Sequence, residues 1–505
     1  MTKSDKLNKI QREFTAGRMS RRNFLRAASA LGVVATAPYI LSAAHAEMSA
    51  TGNYDYIVLG AGSSGCVVAA RMAEDSGKKI LVIEAGPSDT EPSIHVPAAF
   101  PYLFKTPLDW DYTSTPQTGL KNHTVYMPRG KVLGGSSSIN AMIYMRGNPA
   151  NYNSWGANNP GWNYADVLPY FKKSENNERG GSAIHGSGGP LNVADQRDPN
   201  VLSKAMVTAA KEQGYAHNND FNDGSQEGFG LYQVNQKGGF RASAADAFLH
   251  PAVDRGNVTI QGESLIKKLV IKNGRCTGVT FEADGKDYTV TAKREVILSC
   301  GAFGSPQVLM LSGIGPKADL QALGIKVIKD LPGVGKNLQD HAMVPVAYSC
   351  TKPVSLAGAS APEQAELLKK GMGLLTSNIG EAGGLLKVNK NADAPDLQFH
   401  FAPNYFIADG AGNPKGDGFT LLPGIVGTKS VGSLKLTSAD PKAKPDIDPA
   451  IMSDEHDLNV VVEGVKIARK ILNSAAFDDY RGEEVLPGAA VQSDEEIKDF
   501  IRNNT

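Results

Sequence analysis

Cysteine is scarce: Cys66, Cys276, Cys300 and Cys350 are the four in a chain of 505 residues. Their spacing shows neither a disulfide framework nor a metal-ligand pattern. Free, buried thiols are the expected state, and no metal is expected. Net charge is missing as well, since Lys+Arg and Asp+Glu each number 52. The balance hides a split. The first 46 residues carry eight basic and two acidic side chains, so the remainder is acidic. An acidic body argues against nucleic acid as a partner. No internal repeat or low-complexity tract is present. A long hydrophobic run is also lacking near the N-terminus, where the apolar stretch is modest and contains Pro38. That weakens a membrane anchor.

What is present begins with glycine, 54 residues of it, which implies many tight turns and close backbone approaches. The length allows two or more domains. The N-terminal order is Arg21-Arg22, then Phe24-Leu25, an apolar run without acids, and Ala44-His45-Ala46. It resembles a twin-arginine signal cleaved after Ala46, which implies the twin-arginine export machinery as a partner and a periplasmic location. That route carries folded proteins, which suits an enzyme loaded with its cofactor before export.

The stretch "YDYIVLGAGSSGCVVAARMAEDSGKKILVIEAG" holds the strongest local pattern. Tyr56–Leu59 reads as a buried strand. Gly60, Gly62 and Gly65, with Ser63 and Ser64 between them, form G-x-G-x-x-G at the start of a helical pattern reaching about Asp75. Ile80–Ile83 reads as a second buried strand ending at Glu84, about 20 residues beyond the last glycine. The first glycine serves the turn, the second admits a pyrophosphate to the backbone, and the third lets helix pack on strand. Phosphates suit the helix N-terminus, where unpaired N–H groups face them. Glu84 is placed to accept hydrogen bonds from ribose hydroxyls.

Residues 258–292 read as a β-meander with hairpin turns at Asn273-Gly274 and Asp284-Gly285. A second strand–glycine–helix unit follows, with Val296–Ser299 as its strand and a helix from about Ser305 to Leu311. The cofactor domain is therefore expected to be assembled from separated segments. Short alternating runs within 346–440, such as "DLQFHFAP" and "GSLKLTS", predict half-exposed antiparallel strands. Residues 454–472 predict an amphipathic helix.

Three stretches make the chain resemble the glucose–methanol–choline oxidoreductase family, its choline and aliphatic-alcohol dehydrogenase branch in particular. They are the turn at 60–65, "PRGKVLGGSSSINAMIYMRG" (128–147) and "GAFGSPQVLMLSGIG" (301–315). "GVGKNLQDH" and "SADPKAKPDIDP" also fit. The resemblance runs from about Tyr54 to Thr505 and implies FAD as cofactor. By the same resemblance, Val132 and Asn140, Ala141, Met142 and Ile143 lie along the isoalloxazine and its linker. Gly135 and Ser136 supply close backbone approach and a small polar contact. Ile266 touches the adenine, Gly301 and Ala302 lie near the ribose and phosphates, and Asp340 and His341 close the domain near the flavin. Ile139 stands where some members carry a flavin-bonding histidine, so the FAD is expected to be non-covalent.

The implied fold class is α/β. A Rossmann-like FAD-binding domain (52–150 and 241–345) joins an α+β substrate domain with an antiparallel sheet (151–240 and 346–450). Residues 1–46 form the signal, and 451–505 are expected as helices returning to the FAD domain. The implied reaction oxidises a small-molecule alcohol by hydride transfer to flavin N5, with a quinone or cytochrome as acceptor. An oxygen-using oxidase, a flavin-bearing lyase or photodecarboxylase, and a non-catalytic flavoprotein are the alternatives. The family's catalytic histidine, with its His or Asn partner, follows a helix like "SDEEIKDFIRNN". All nine histidines precede that point. No catalytic residue is therefore assigned, the chain is expected to be incomplete, and as it stands it is expected to be severely impaired.

Overall fold

The computed structural model describes residues 54–505 apart from 411 and 413. The export-signal reading of residues 1–46 falls outside them. The described chain starts with β1 (Tyr54–Leu59), α1 (Ser63–Met72) and β2 (Ile80–Ile83). A long excursion follows, containing α2 (Val201–Glu212) and β3 (Gly228–Leu231). The chain returns as β4 (Val258–Gln261), β5 (Leu265–Lys272), β6 (Arg275–Ala283), β7 (Lys286–Leu298) and α3 (Gly301–Leu311). A second excursion supplies β8 (Val346–Cys350), β9 (Ala382–Leu386), β10 (Leu397–Ala402) and β11 (Gly418–Ile425). The C-terminal part adds α4 (Glu455–Leu472), β12 (Arg481–Leu486) and α5 (Asp494–Asn504).

Two six-stranded sheets organise the molecule. The first runs β4-β2-β1-β7-β6-β5. Its β4, β2, β1 and the end of β7 are parallel, and β7, β6 and β5 form an antiparallel meander. Parallel strands are covered on both faces, so they read as continuous apolar runs. Ile80, Leu81, Val82 and Ile83 are all fully buried. Residues 258–261, expected within the meander, instead pair in parallel with β2, because the tight link Gly262–Ser264 redirects the chain before β5. β7 is one unbroken strand that serves both halves, where a separate strand was expected from Val296. The turns at Asn273-Gly274 and Asp284-Gly285 have positive φ at all four residues, as a twisted two-residue hairpin turn demands.

The second sheet is antiparallel, ordered β12-β8-β11-β10-β9-β3. Helix α4 lies on it, and its Leu458, Val461, Val465 and Leu472 join Phe399, Phe401 and Phe419 of the strands in one core. Helix α5 adds Ile497, Phe500 and Ile501 to that core. The C-terminal segment thus packs on the substrate sheet, and α5 also reaches the range 52–150 expected for the FAD domain, through the Lys121–Asp499 pair and His123 Nε2 beside Thr505 O (3.3 Å). The strand β12 at the sheet edge was not foreseen. Strand β10 is covered on both faces, so it is more buried than its alternating sequence implied. Residues 432–435 lie in a small separate sheet with 336–338 and 446–448.

All four cysteines are unpaired, and Cys66 is fully buried in α1. Burial pushes the Cys66 thiol up and that of Cys300 up to about 12, so both stay protonated and inert. No described helix is long and apolar enough to cross a membrane.

Candidate active site

Two of the three glycines after β1 are fixed by close backbone approach, and the third faces open space. Gly60 has φ +90, and a Cβ there would meet the Ser299 carbonyl oxygen at 2.7 Å. A Cβ on Gly65 would overlap the Gly60 carbonyl oxygen, so α1 can start against β1 only with glycine at this point. Gly62 differs: the nearest atom to its Cβ position is Gly135 Cα, 3.9 Å away. It caps α1 with no side-chain hydrogen bond. The helix N-terminus therefore presents its N–H groups beside open space, with Ser63 and Ser64 exposed next to it.

The second strand–helix unit stands beside the first. Ser299 Oγ donates to the carbonyls of Leu59 (2.8 Å) and Gly60 (3.0 Å), locking the end of β7 to the turn. Gly301 and Ala302 then begin α3, both exposed on the same side. Glu84, at the end of β2, accepts hydrogen bonds from the N–H groups of Ala61 (2.8 Å) and Gly86 (3.0 Å). Burial, opposed by those N–H groups, pushes its carboxyl up to about 7. Ile266 on β5 packs with Leu59 and Ile83 in the core beneath this edge.

Residues 128–147 wrap across the turn. Gly134 N–H donates to Ala61 O at 2.8 Å, and a Cβ on Gly135 would lie 2.6 Å from Gly62 Cα. The two motifs are thus in backbone contact. Beyond this junction lies a cavity of about 420 Å³ between the two sheets. Ser136, Asn140, Ala141 and Ile143 line one wall; Met343, His400, Ala402 and Leu422 line the other. Val132 and Met142 do not face it. Their side chains are buried, and Met142 sits at φ +58. Asp340 pairs with Arg129 at 3.5 Å and accepts the N–H of His341, tying the end of the first domain to this wall.

His400 escaped the sequence reading. Its signal was available: in "LQFHFA" it takes the polar face of a strand whose other face is Leu397, Phe399 and Phe401. It lines the cavity, and its Nδ1 is buried without a hydrogen-bond partner. Burial, reinforced by His341, holds the imidazole down to about 4, so it is neutral at pH 7. The cavity aromatics Phe100, Phe104 and Phe406 were missed too, because they come from irregular segments.

Behind the wall lies buried Arg241. It donates to Ile94 O (2.7 Å), Ser137 O (3.0 Å) and Asn140 Oδ1 (3.0 Å), and its Nη2 has no partner. Burial lowers the guanidinium to about 9. An open helix N-terminus, a buried carboxylate at a strand end and a cationic wall form a donor–acceptor set suited to a dinucleotide carrying an electron-accepting ring.

That fold and site define a dinucleotide-binding flavoprotein with a half-open cavity beside the cofactor turn. The GMC oxidoreductase family models match residues 54–343 and 428–505, and the chain belongs to that family. It is 44% identical over 466 residues to "Oxygen-dependent choline dehydrogenase" of Rhizobium johnstonii, covering 89% of this chain and 83% of that protein. It is 42% identical over 461 residues to "Alcohol dehydrogenase [acceptor]" of Pseudomonas putida, covering 89% and 84%. Among solved structures it resembles pyridoxine 4-oxidase from Mesorbium loti, with a TM-score of 0.81, 30% identity and coverage of 90% and 86%. It also resembles formate oxidase, with a TM-score of 0.83, 26% identity and coverage of 90% and 87%. The cofactor is FAD.

Glu84, in its expected role at the ribose, should make FAD binding pH-dependent. Ribose hydroxyls donating to this carboxyl favour its ionised form, so binding must release a proton wherever the free site is protonated. Affinity should fall as pH drops below about 7, by up to about tenfold per pH unit, and level off above it. Glu84→Gln should flatten the profile. Glu84→Ala should weaken binding by roughly 1.5–3 kcal/mol. Titrating apoprotein with FAD across pH 5.5–8.5 checks both, and a flat wild-type profile would refute the role.

Proposed function

We propose that this chain oxidises the CH–OH group of a small-molecule alcohol to the aldehyde or ketone, with non-covalent FAD as hydride acceptor and a quinone or cytochrome as electron acceptor. The observation that carries this reading is the cavity between Ser136–Ile143 and the neutral His400. FAD supplies the hydride-accepting ring. The chain's own residues do the remainder. Apolar walls exclude water, and His400 offers a neutral nitrogen that holds the hydroxyl in one orientation. An imidazole held down to about 4 does not keep a proton at neutral pH. His400 is therefore a positioning group and not the general base, whose pKa should lie near the working pH.

Ile139 supports the non-covalent assignment: it is an aliphatic side chain, buried with Ile94, Leu103 and Val132. Acid precipitation should release the flavin into the supernatant. The paired Arg21-Arg22 support export to the periplasm, where a respiratory acceptor is at hand. Arg21→Lys with Arg22→Lys should strand the protein in the cytoplasm. The deciding experiment is anaerobic mixing of the flavin-loaded protein with a primary alcohol in the dark. Absorbance near 450 nm should bleach, slowly because no general base is assigned in this chain, and reoxidation should be faster with a quinone analogue than with oxygen. A flavin that stays oxidised would remove the alcohol-oxidising reading, and faster reoxidation by oxygen would replace the acceptor.

A further inference from the structure

The cavity is more specific than the reading it serves. Phe100, Phe104, Ile379, Ala402, Phe406 and Leu422 surround its substrate-sheet end. No Asp or Glu lines it among the described residues. Two carboxylates beside lining residues are engaged elsewhere. Glu381, next to the lining Gly380, is buried and turned onto the Asn200 N–H (2.8 Å) and Ser203 Oγ (2.6 Å). Asp340 is paired with Arg129, whose guanidinium lies over the Phe303 ring, and of the two residues only Arg129 lines the cavity. The remaining polar lining is neutral: Ser136, Asn140 and His400. Phe100 packs edge-on against Phe104 (centroids 5.7 Å apart) and at a tilt against Phe406 (6.3 Å), so the three rings form one apolar cluster at this end.

Resting on the alcohol-oxidising reading above, we infer that the cavity selects uncharged, apolar alcohols and rejects quaternary-ammonium alcohols of the choline type. A cation entering this space would lose its water shell and meet no carboxylate on the lining. Contact with a phenyl face recovers part of that loss, but not the whole. An alcohol with a branched or linear hydrocarbon body loses nothing comparable. It gains apolar burial against the phenylalanines, while its hydroxyl reaches His400 and Asn140.

Choline and 3,3-dimethylbutan-1-ol form the decisive pair, because they have the same shape and differ in charge. Each is titrated anaerobically into the FAD-loaded protein, and Kd is read from perturbation of the flavin absorbance. The neutral alcohol should bind at least ~100-fold more tightly. Ala402→Asp, which puts a carboxylate on the wall, should narrow that ratio by at least ~10-fold. The wild-type ratio stands as a test even if the variant fails to fold. Choline binding as tightly as its carbon analogue would overturn the inference. Dark bleaching by 1-hexanol reports separately on alcohol oxidation, so that result would leave the broader reading intact. No binding of either probe, together with no bleaching by 1-hexanol, would overturn both.

Discussion

Gly65→Val should lose FAD almost completely, with affinity down by more than about 100-fold and a clear loss of stability without the cofactor. A side chain at this point cannot fit while α1 starts where it does, because the Cβ would overlap the Gly60 carbonyl oxygen and meet Ser299 Oγ at 2.9 Å. Both obstacles are themselves fixed. Gly60 sits at φ +90 against Ser299, and Ser299 is hydrogen-bonded to Leu59 and Gly60. Overpacking of this kind costs about 1–3 kcal/mol or more, and relief comes only by moving the helix start off the strand. That movement carries away the N–H groups that face the phosphates. Gly62→Ala is the informative control. Its Cβ meets no protein atom closer than 3.9 Å, so the melting temperature without FAD should barely change. FAD binding should weaken nonetheless, because the methyl group intrudes where the pyrophosphate approaches. If Gly62→Ala bound FAD normally, the phosphates would have to lie elsewhere. If Gly65→Val did, the turn would have to be more compliant than its geometry shows.

That contrast also marks how far the sequence alone could be read. The glycine turn was legible because Gly60, Gly62 and Gly65 fall at the fixed spacing of one motif, and the close backbone approaches at Gly60 and Gly65 admit only glycine. The buried strands beside it were legible as apolar runs, and the hairpin turns as Asn-Gly and Asp-Gly. The capping box at Ser493 and Glu496 formed as written. These are all local signals. The destination of the C-terminal segment was not local. The apolar faces of α4 and α5 say that they need a neighbour, but either sheet offers one. The pairing of β12 with β8 ties the segment to the substrate sheet, and α5 in addition touches Lys121 and His123 of the first segment. Strand β4 was misplaced for a related reason: a short β-branched run carries no mark of which strand it will pair with.

The candidate site divides along the same line. Residues expected to meet the cofactor through the backbone sit in contiguous motifs, which is why they could be proposed in order. The chamber walls could not. Phe100 and Phe104 come from a short helical loop, Ile379 from a turn, Phe406 from the loop after β10 and Leu422 from β11. No spacing rule connects them. Their convergence is a product of two sheets meeting across an interface. The polar side of β10 is the exception, where alternation singles out His400 and could have flagged it.

Glu175→Ala should destabilise the protein by about 3–5 kcal/mol, although Glu175 is not among the residues lining the cavity. Its side chain is fully buried and pairs at 2.7 Å with Arg146, whose side chain is 2% exposed. The same carboxylate accepts hydrogen bonds from Gly186 N–H (2.7 Å) and Asn177 Nδ2 (3.0 Å), and it contacts His185 Nδ1 at 2.9 Å. Removing it leaves a buried guanidinium with only the Ile184 carbonyl (2.9 Å) and the Tyr144 hydroxyl (3.2 Å) as partners. The effect should reach the site, because Arg146 ends the stretch whose Asn140, Ala141 and Ile143 form the cavity wall. FAD occupancy should fall together with the urea midpoint. Replacing both partners with apolar side chains, Glu175→Leu with Arg146→Met, should recover much of the stability, since no charge is then stranded. The wall would still have lost its anchoring to Ile184 and Glu175, so FAD occupancy should recover less than stability does. A loss below about 1 kcal/mol in Glu175→Ala would mean that water reaches Arg146, and the anchoring role of this pair would have to be abandoned.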